Sequence, residues 1–461
     1  MNLLEILTVL GAVALVAARW LPGVVRPRFT VAAGAVVALS AIALCVTGIR
    51  WQLLPVLAGG LVAAPFAFSP LVRARWWLAL PGSVFCVCLI TAGPVTAWAF
   101  PVPVFPTPSG NFAVGTRVLQ WTDPDRPETF TADPRDHRTV VAQLWYPANA
   151  PADAPRAQYL GRTVSEARTV SEALAGGVGL PGFLFDGVPR ARTHAIPDAP
   201  VAVEGGRFPV VLFSPGSSGV RTQNTAWAEE IASHGYVVVA LDHPYDSAAV
   251  VLADGRTITS ATSSTGDRDE DDRLADDWTS IRAADLSFAL TRLGADPLTA
   301  RLDTSRVAVT GHSMGGAAAL LAARRDHRFT AVINLDGYPR GPLSPLLDQP
   351  TLALTQAVTP ATDPRYLPRL TEVLTRGTAT NYRLTIPGAA HLTFTDGPLY
   401  LPPVPSIVGS LGRVESPRVV AAASLAFLDS VLRKGSGDLA GALSSTGSSR
   451  CFVLATGADR P

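Results

Sequence analysis

The chain has 461 residues, too many for one ordinary domain, and its 38 Lys and Arg against 37 Asp and Glu leave a net charge of +1. That balance speaks against a surface built for a polyanion, so no nucleic-acid partner is expected. Hydrophobic residues make up 48% and charged residues 16%, and the imbalance is local: the first hundred residues are almost wholly apolar, while the remainder reads as an ordinary soluble domain.

Four apolar stretches open the chain, at residues 3–18, 31–49, 53–72 and 76–100. The last three have the roughly 20 residues needed to cross a bilayer core; the first is short and carries Glu5. Trp20, Trp51, Trp76 and Trp77 sit at segment ends, where amphipathic rings favour the interface. The pattern predicts an all-α transmembrane region of about four helices over residues 1–100. Arg19, Arg26 and Arg28 follow the first stretch and Arg73 and Arg75 the third, whereas only Arg50 lies between the second and third. The positive-inside rule then places the first and third loops in the cytoplasm and everything after Phe100 outside. A multi-pass plasma-membrane protein with an extracytoplasmic soluble domain is the expectation, with anchoring as the role of the helices.

Residues 101–110 form a Pro-rich linker of extended character. A soluble domain is expected over 111–434, with residues 148–200, irregular and rich in Ala, Pro and Gly, read as a lid or flap. From residue 208 a regular rhythm begins. Strands are predicted at 139–145, 208–213, 236–241, 306–310, 330–335, 351–356 and 382–386, and helices at 225–233, 274–293, 313–325 and 417–433. Apolar strands alternating with helices argue for a mostly parallel sheet covered on both faces. The acidic run 267–277 lacks the spacing of a calcium loop and suits the positive end of the helix it precedes. The Gly/Ser-rich tail, 435–461, is expected to be loose. Cys45, Cys86 and Cys88 fall in apolar stretches and Cys451 stands alone, which gives neither a disulfide framework nor a metal spacing.

Gly311-His312-Ser313-Met314-Gly315 is a Gly-x-Ser-x-Gly motif, weak alone in a chain this rich in glycine. Its context is specific: an apolar strand runs into Gly311 and an Ala/Leu helix follows Gly316. Strand, sharp turn and helix make the nucleophile elbow of an α/β-hydrolase, with Ser313 as nucleophile. That fold sets the order nucleophile, acid, histidine. Of seven histidines only His327 and His391 follow Ser313. His327 immediately precedes a strand and so belongs to the far edge of the sheet. His391 follows a strand by a short loop and emerges beside Ser313, which makes it the base. Two acids stay open: Asp336, which ends a strand and is favoured for that reason, and Asp363, in the loop after the next strand. The oxyanion hole needs two backbone N–H groups; Met314 supplies one, and Ser217, with Gly216 next, is the candidate for the other. His243 ends a strand at the same edge and is a possible pocket residue. This chemistry needs no cofactor or metal.

The stretch Phe-Pro-Val-Val-Leu-Phe-Ser-Pro-Gly from Phe208, the run Ala-Ser-His-Gly-Tyr-Val-Val-Val-Ala-Leu-Asp-His ending at His243, Gly-His-Ser-Met-Gly-Gly at 311–316 and Val-Ala-Gln-Leu-Trp-Tyr-Pro at 141–147 resemble the type II platelet-activating factor acetylhydrolases. The resemblance covers most of residues 110–433 and not the apolar region. It implies Ser313 as nucleophile, Asp336 (in Ile333-Asn334-Leu335-Asp336) as acid and His391 (in His391-Leu392-Thr393-Phe394) as base, and so favours Asp336 over Asp363. The sequence departs from the family where Pro215 replaces the histidine of the oxyanion loop and Ser218 is additional before Gly219. The implied activity is calcium-independent hydrolysis of short or oxidised acyl groups from phospholipids. General esterases, polyester hydrolases and acyltransferases are the alternatives. A membrane sensor or scaffold with an inactive hydrolase-like domain is the reading from another class.

Overall fold

The structure, a computed structural model, describes residues 1–68, 76–295, 300–360, 362–435, 437–445 and 450–454. The chain forms two compact units, 1–102 and 103–461.

The first unit consists of helices α1 (Leu3–Ala18), α2 (Arg26–Thr47), α3 (Leu53–Phe68) and α4 (Trp76–Ala99). Among the described residues, only α2 and α4 are long and apolar enough to cross a membrane. Helix α1 has 16 residues, about 24 Å at 1.5 Å per residue, short of a hydrocarbon core of about 30 Å. The expected span at 53–72 is helical over Leu53–Phe68, and its last four residues lie outside the described residues. Residues 69–75, with Arg73 and Arg75, lie outside the described residues. Polar groups turn inward: Glu5 pairs with Arg50 at 3.6 Å, both nearly buried, and Thr8 Oγ1 donates to Ser40 Oγ at 2.9 Å. Glu5, which weakened the first stretch as a span, also closes a capping box with Asn2. Leu39, Ile42, Leu61 and Phe85 face outward.

The second unit is built on a ten-stranded sheet. In chain order its strands are β1 (Ala113–Pro127), β2 (His137–Ala148), β3 (Ile196–Pro197), β4 (Phe208–Ser214), β5 (Val237–Asp242), β8 (Leu302–His312), β9 (Ala331–Leu335), β10 (Thr351–Gln356), β11 (Asn381–Ile386) and β12 (Arg450–Leu454); β6 (Ala249–Val251) and β7 (Thr257–Thr259) form a separate ribbon. The order across the sheet is β12-β11-β10-β9-β8-β4-β5-β2-β1-β3. The six strands from β11 to β5 are parallel. Alternate residues of β4 enter opposite cores: Val210 and Leu212 one, Val211 and Phe213 the other. Helices α7 (Arg268–Gly294), α8 (Met314–Arg325) and α9 (Tyr366–Arg376) cover the first face. Helix α6 (Thr225–Ser233) and the helix Glu415–Leu432 cover the second. This is the expected mostly parallel sheet with helices on both faces.

Three local differences stand out. Helix α7 starts six residues before the expected 274, because Asp267 caps it and Asp269, Glu270 and Asp271 fill its first turn, where acidic groups meet the positive helix end. Strand β1, hidden in sequence by its Asp-Pro-Asp-Arg-Pro end, pairs antiparallel with β2 near the sheet edge, where proline is tolerated. The tail expected to be loose contains the helix Leu439–Ser445 and strand β12, which pairs with β11. In the segment read as a lid, helix α5 (Val164–Gly177) is tied down by Glu166, which accepts from buried Arg221 Nη2 at 2.6 Å.

Candidate active site

All parallel strands run toward one edge, so the residues that follow them gather there. Strand β8 is central and runs straight into Ser313, whose φ of 54° and ψ of −121° lie in a region that costs a non-glycine residue roughly 1–3 kcal/mol. Two features hold the turn. Ser313 N donates to Leu335 O at 2.9 Å, and Gly315 lets the start of α8 pack on the exit of β4, since a Cβ there would meet Ser214 O at 2.0 Å. The strain presents a half-buried serine at the N-terminus of α8, where unpaired N–H groups and the helix dipole favour negative charge.

Asp336 follows β9 directly, also with a positive φ, of 51°. Its buried carboxylate accepts four hydrogen bonds: His391 Nδ1 at 2.7 Å and Gln356 Nε2 at 2.9 Å on Oδ2, and Gln356 N at 3.1 Å and Tyr366 OH at 3.2 Å on Oδ1. His391, after β11, opens a 3₁₀ turn and keeps 43% of its side chain exposed. With Nδ1–H held by Asp336, its Nε2 is the nitrogen left to take a proton. Asp363 is in a different place. Its carboxylate is bound by Arg365 at 2.9 Å and Arg268 at 2.9 Å, and the Arg365 bonds hold its carboxyl down to about 2. His327 is exposed just ahead of β9, at the opposite edge. The structure thus brings Asp336 and His391 together and leaves Asp363 and His327 out.

The loop after β4 is fixed from below. Buried Arg282, on α7, donates to the carbonyl of Pro215 and, at 2.9 Å, to that of Gly216. Gly216 N–H donates to Gln223 Oε1 at 3.2 Å, so Gly216 is corrected as an oxyanion donor: its hydrogen is engaged. In the trans peptide 216–217 the N–H of Ser217 points opposite to the Gly216 carbonyl, hence away from Arg282. Ser217 and Met314 both line a cleft of about 920 Å³, walled by Phe130, Trp278 and loop residues 261–265. Phe130 stacks between Trp278 and Tyr245, with ring centroids 4.7 and 5.3 Å away.

His243 is corrected as a pocket residue. It is fully buried beneath this loop, with Nδ1–H on Asp285 Oδ2 at 2.8 Å and Nε2 accepting from Ser214 Oγ at 2.9 Å. Burial pushes its imidazole down to about 4. Burial would raise Asp285, but Arg138 and His243 outweigh it and hold the carboxylate ionised. Sequence reasoning missed Gln223, Arg282, Gln356 and Tyr366. None belongs to a recognised motif; Gln223 lies farther along the same loop as Gly216, and Arg282, Gln356 and Tyr366 reach the site from other elements. Among the described residues, no three His, Cys, Asp or Glu side chains are grouped to hold a metal.

A mostly parallel sheet with a strained serine on the turn after a central strand, and a histidine–carboxylate pair on later loops of the same edge, define an α/β-hydrolase. The sequence profile of the family "Platelet-activating factor acetylhydrolase, isoform II" matches residues 99–266 and 281–441, and the chain belongs to that family. A probable 1-alkyl-2-acetylglycerophosphocholine esterase of Arthroderma benhamiae is 27% identical over 258 residues, covering 54% of this chain and 63% of that protein. The dog platelet-activating factor acetylhydrolase is 28% identical over 29% of this chain and 36% of its own length. A cutinase of Thermobifida fusca is 31% identical over 29% of this chain and 35% of its own. The chain therefore spans less than two thirds of each of these relatives. Among solved structures, a ferulic acid esterase from Streptomyces cinnamoneus superposes with a TM-score of 0.61 at 28% identity, covering 76% of this chain and 98% of that one.

Proposed function

We propose that the chain is a serine-dependent carboxylic ester hydrolase acting on short-acyl or lipid-like esters, the phospholipid sn-2 acyl group included. Ser313 Oγ attacks the ester carbonyl while His391 Nε2 takes its proton. The N–H groups of Met314 and Ser217 receive the developing oxyanion. His391 returns the proton to the departing alcohol, leaving an acyl-enzyme that water cleaves by the same proton path. Asp336 fixes the imidazole tautomer and stabilises the imidazolium. The observation that carries this reading is the 2.7 Å bond from His391 Nδ1 to a carboxylate already held by three other donors, next to the strained elbow. Substrate class comes from the relatives' names and from a cleft open enough for an acyl chain. The aromatic wall at Phe130 and the likeness to a ferulic acid esterase favour a second reading, bulky or aromatic esters. The test is fluorophosphonate labelling of the folded full chain, followed by an ester panel of graded acyl length and leaving-group size. An unlabelled Ser313 defeats the enzyme reading; preference for aromatic over short-acyl esters selects the second.

The helical unit is proposed to be membrane-embedded, with the hydrolase domain outside. Inward polar groups and outward leucines, the reverse of a water-soluble bundle, support it. A reporter fused to the C-terminus should signal outside the membrane; a cytoplasmic signal overturns the orientation.

A further inference from the structure

The loop carrying Ser217 and the loop carrying His391 come from strands that are not neighbours, β4 and β11, yet one continuous hydrogen-bond line joins them. Gly216 N–H donates to Gln223 Oε1 at 3.2 Å, Gln223 Nε2 donates to His312 Nδ1 at 3.0 Å, and His312 Nε2–H donates to the carbonyl of His391 at 2.9 Å. Both ends are unambiguous. A backbone N–H only donates and a backbone carbonyl only accepts, so the direction of every bond between them, the Gln223 amide orientation and the His312 tautomer are determined. The His312 and His391 rings also lie 4.6 Å apart. His312 is buried, and burial together with His391 pushes its imidazole well below the ordinary range, so it stays neutral and keeps a single N–H for His391. The close approach is built in: a Cβ on Gly219 would come within 2.1 Å of Gln223 Oε1, and one on Gly216 would stand 3.0 Å from His312 Nδ1 and 3.4 Å from Ser313 Cβ.

We propose that Gln223 is a positioning residue that, through His312, holds the oxyanion segment at Gly216-Ser217 and the His391 loop in register with each other. The inference rests on the reading of Ser313, His391 and the Ser217 N–H given above. Gln223 touches no reacting atom. It acts on two loops at once: it holds the N–H of the 215–216 peptide, whose carbonyl Arg282 holds from the other side, and through His312 it pins the backbone from which His391 extends. The motif position between Gly311 and Ser313 thereby acquires a task of its own, since a smaller or apolar side chain at 312 would break the line in the middle.

The experiment uses the full chain and three variants: Gln223→Leu, which removes both amide bonds at similar volume, His312→Leu, and the double variant. Each is titrated to completion with a fluorophosphonate, so that turnover is counted per reactive Ser313. The expected result for Gln223→Leu is a fall in kcat of about 10- to 100-fold, the scale of slightly misplaced catalytic groups, with KM for a short-acyl ester within about twofold. The double variant should cost no more than about the worse single one, because one line cannot be cut twice. Wild-type kcat per titrated site in Gln223→Leu, a rise confined to KM, or losses that multiply in the double variant overturns the proposal. If leucine prevents folding, Gln223→Met carries the same comparison. A folded wild type that does not label at Ser313 defeats the enzyme reading itself; a labelled, active wild type beside a fully active Gln223→Leu defeats only this inference.

Discussion

Two serine–histidine–aspartate groupings lie within this one sheet edge. Ser214, His243 and Asp285 form a continuous line, 2.9 Å from Ser214 Oγ to His243 Nε2 and 2.8 Å from His243 Nδ1 to Asp285. Ser313, His391 and Asp336 share its second link at 2.7 Å. Judged by hydrogen bonds, the buried line has everything a triad needs. Its surroundings close it off: all three side chains are fully buried, Arg282 donates to Ser214 Oγ at 3.3 Å, and Arg138 pairs with Asp285 at 2.8 Å. The other grouping has an exposed imidazole, a serine forced outward by its backbone, and a cleft lined by the candidate oxyanion donors. The proposed reactivity of Ser313 therefore rests on access and on a site for the oxyanion, and a histidine–carboxylate bond alone does not identify a catalytic base.

The sharpest way to break this comparison is to cut each line. Asp336→Asn should lower kcat by about 10⁴, the scale seen when a triad histidine loses its orienting carboxylate, with an unfolding midpoint close to wild type; an unchanged rate in a steady-state assay would remove Asp336 from the mechanism. Fluorophosphonate adducts mapped by peptide mass should fall on Ser313 and not on Ser214. His243→Asn should act on stability, costing about 2–3 kcal/mol in urea unfolding for the lost bond to a buried charge.

The buried line also predicts a pH dependence. The folded imidazole of His243 is held at about 4, against about 6.5 in the unfolded chain, so between these values the unfolded state binds the extra proton. Stability should fall as pH drops from about 6.5 to 4, by roughly 3 kcal/mol in full, and His312 acts in the same direction. Urea midpoints measured across that range test it; a flat profile contradicts a neutral buried His243. The smallest effect is expected at the rival acid: Asp363→Asn should change kcat less than twofold, and a loss of a thousandfold would transfer the acid's role to it.

Much of the site is legible along the chain because the fold converts strand order into position. Ser313, Asp336 and His391 each follow a strand whose apolar run is visible, and each emerges at the same edge. His243 follows a strand in the same way and misled for that reason: the loop after β4 covers it, and coverage is not a local property. Gly216 and Ser217 are indistinguishable as sequence, and the direction of a single N–H toward Gln223 separates them. In the helical unit, apolar composition gives four segments, and among the described residues α2 and α4 reach spanning length.

By itself the sequence determined the alternation of strands and helices, the elbow around Ser313, the order of the three catalytic candidates and the division between an apolar and a more polar region, since these depend on periodicity and near neighbours. Only the tertiary structure decided which histidine is buried, which carboxylate is held by four donors, which loop N–H is free and how Gln223 joins two loops. Most of those outcomes depend on side chains 20 or more residues apart competing for the same few polar groups, and such a competition leaves no trace in local pattern.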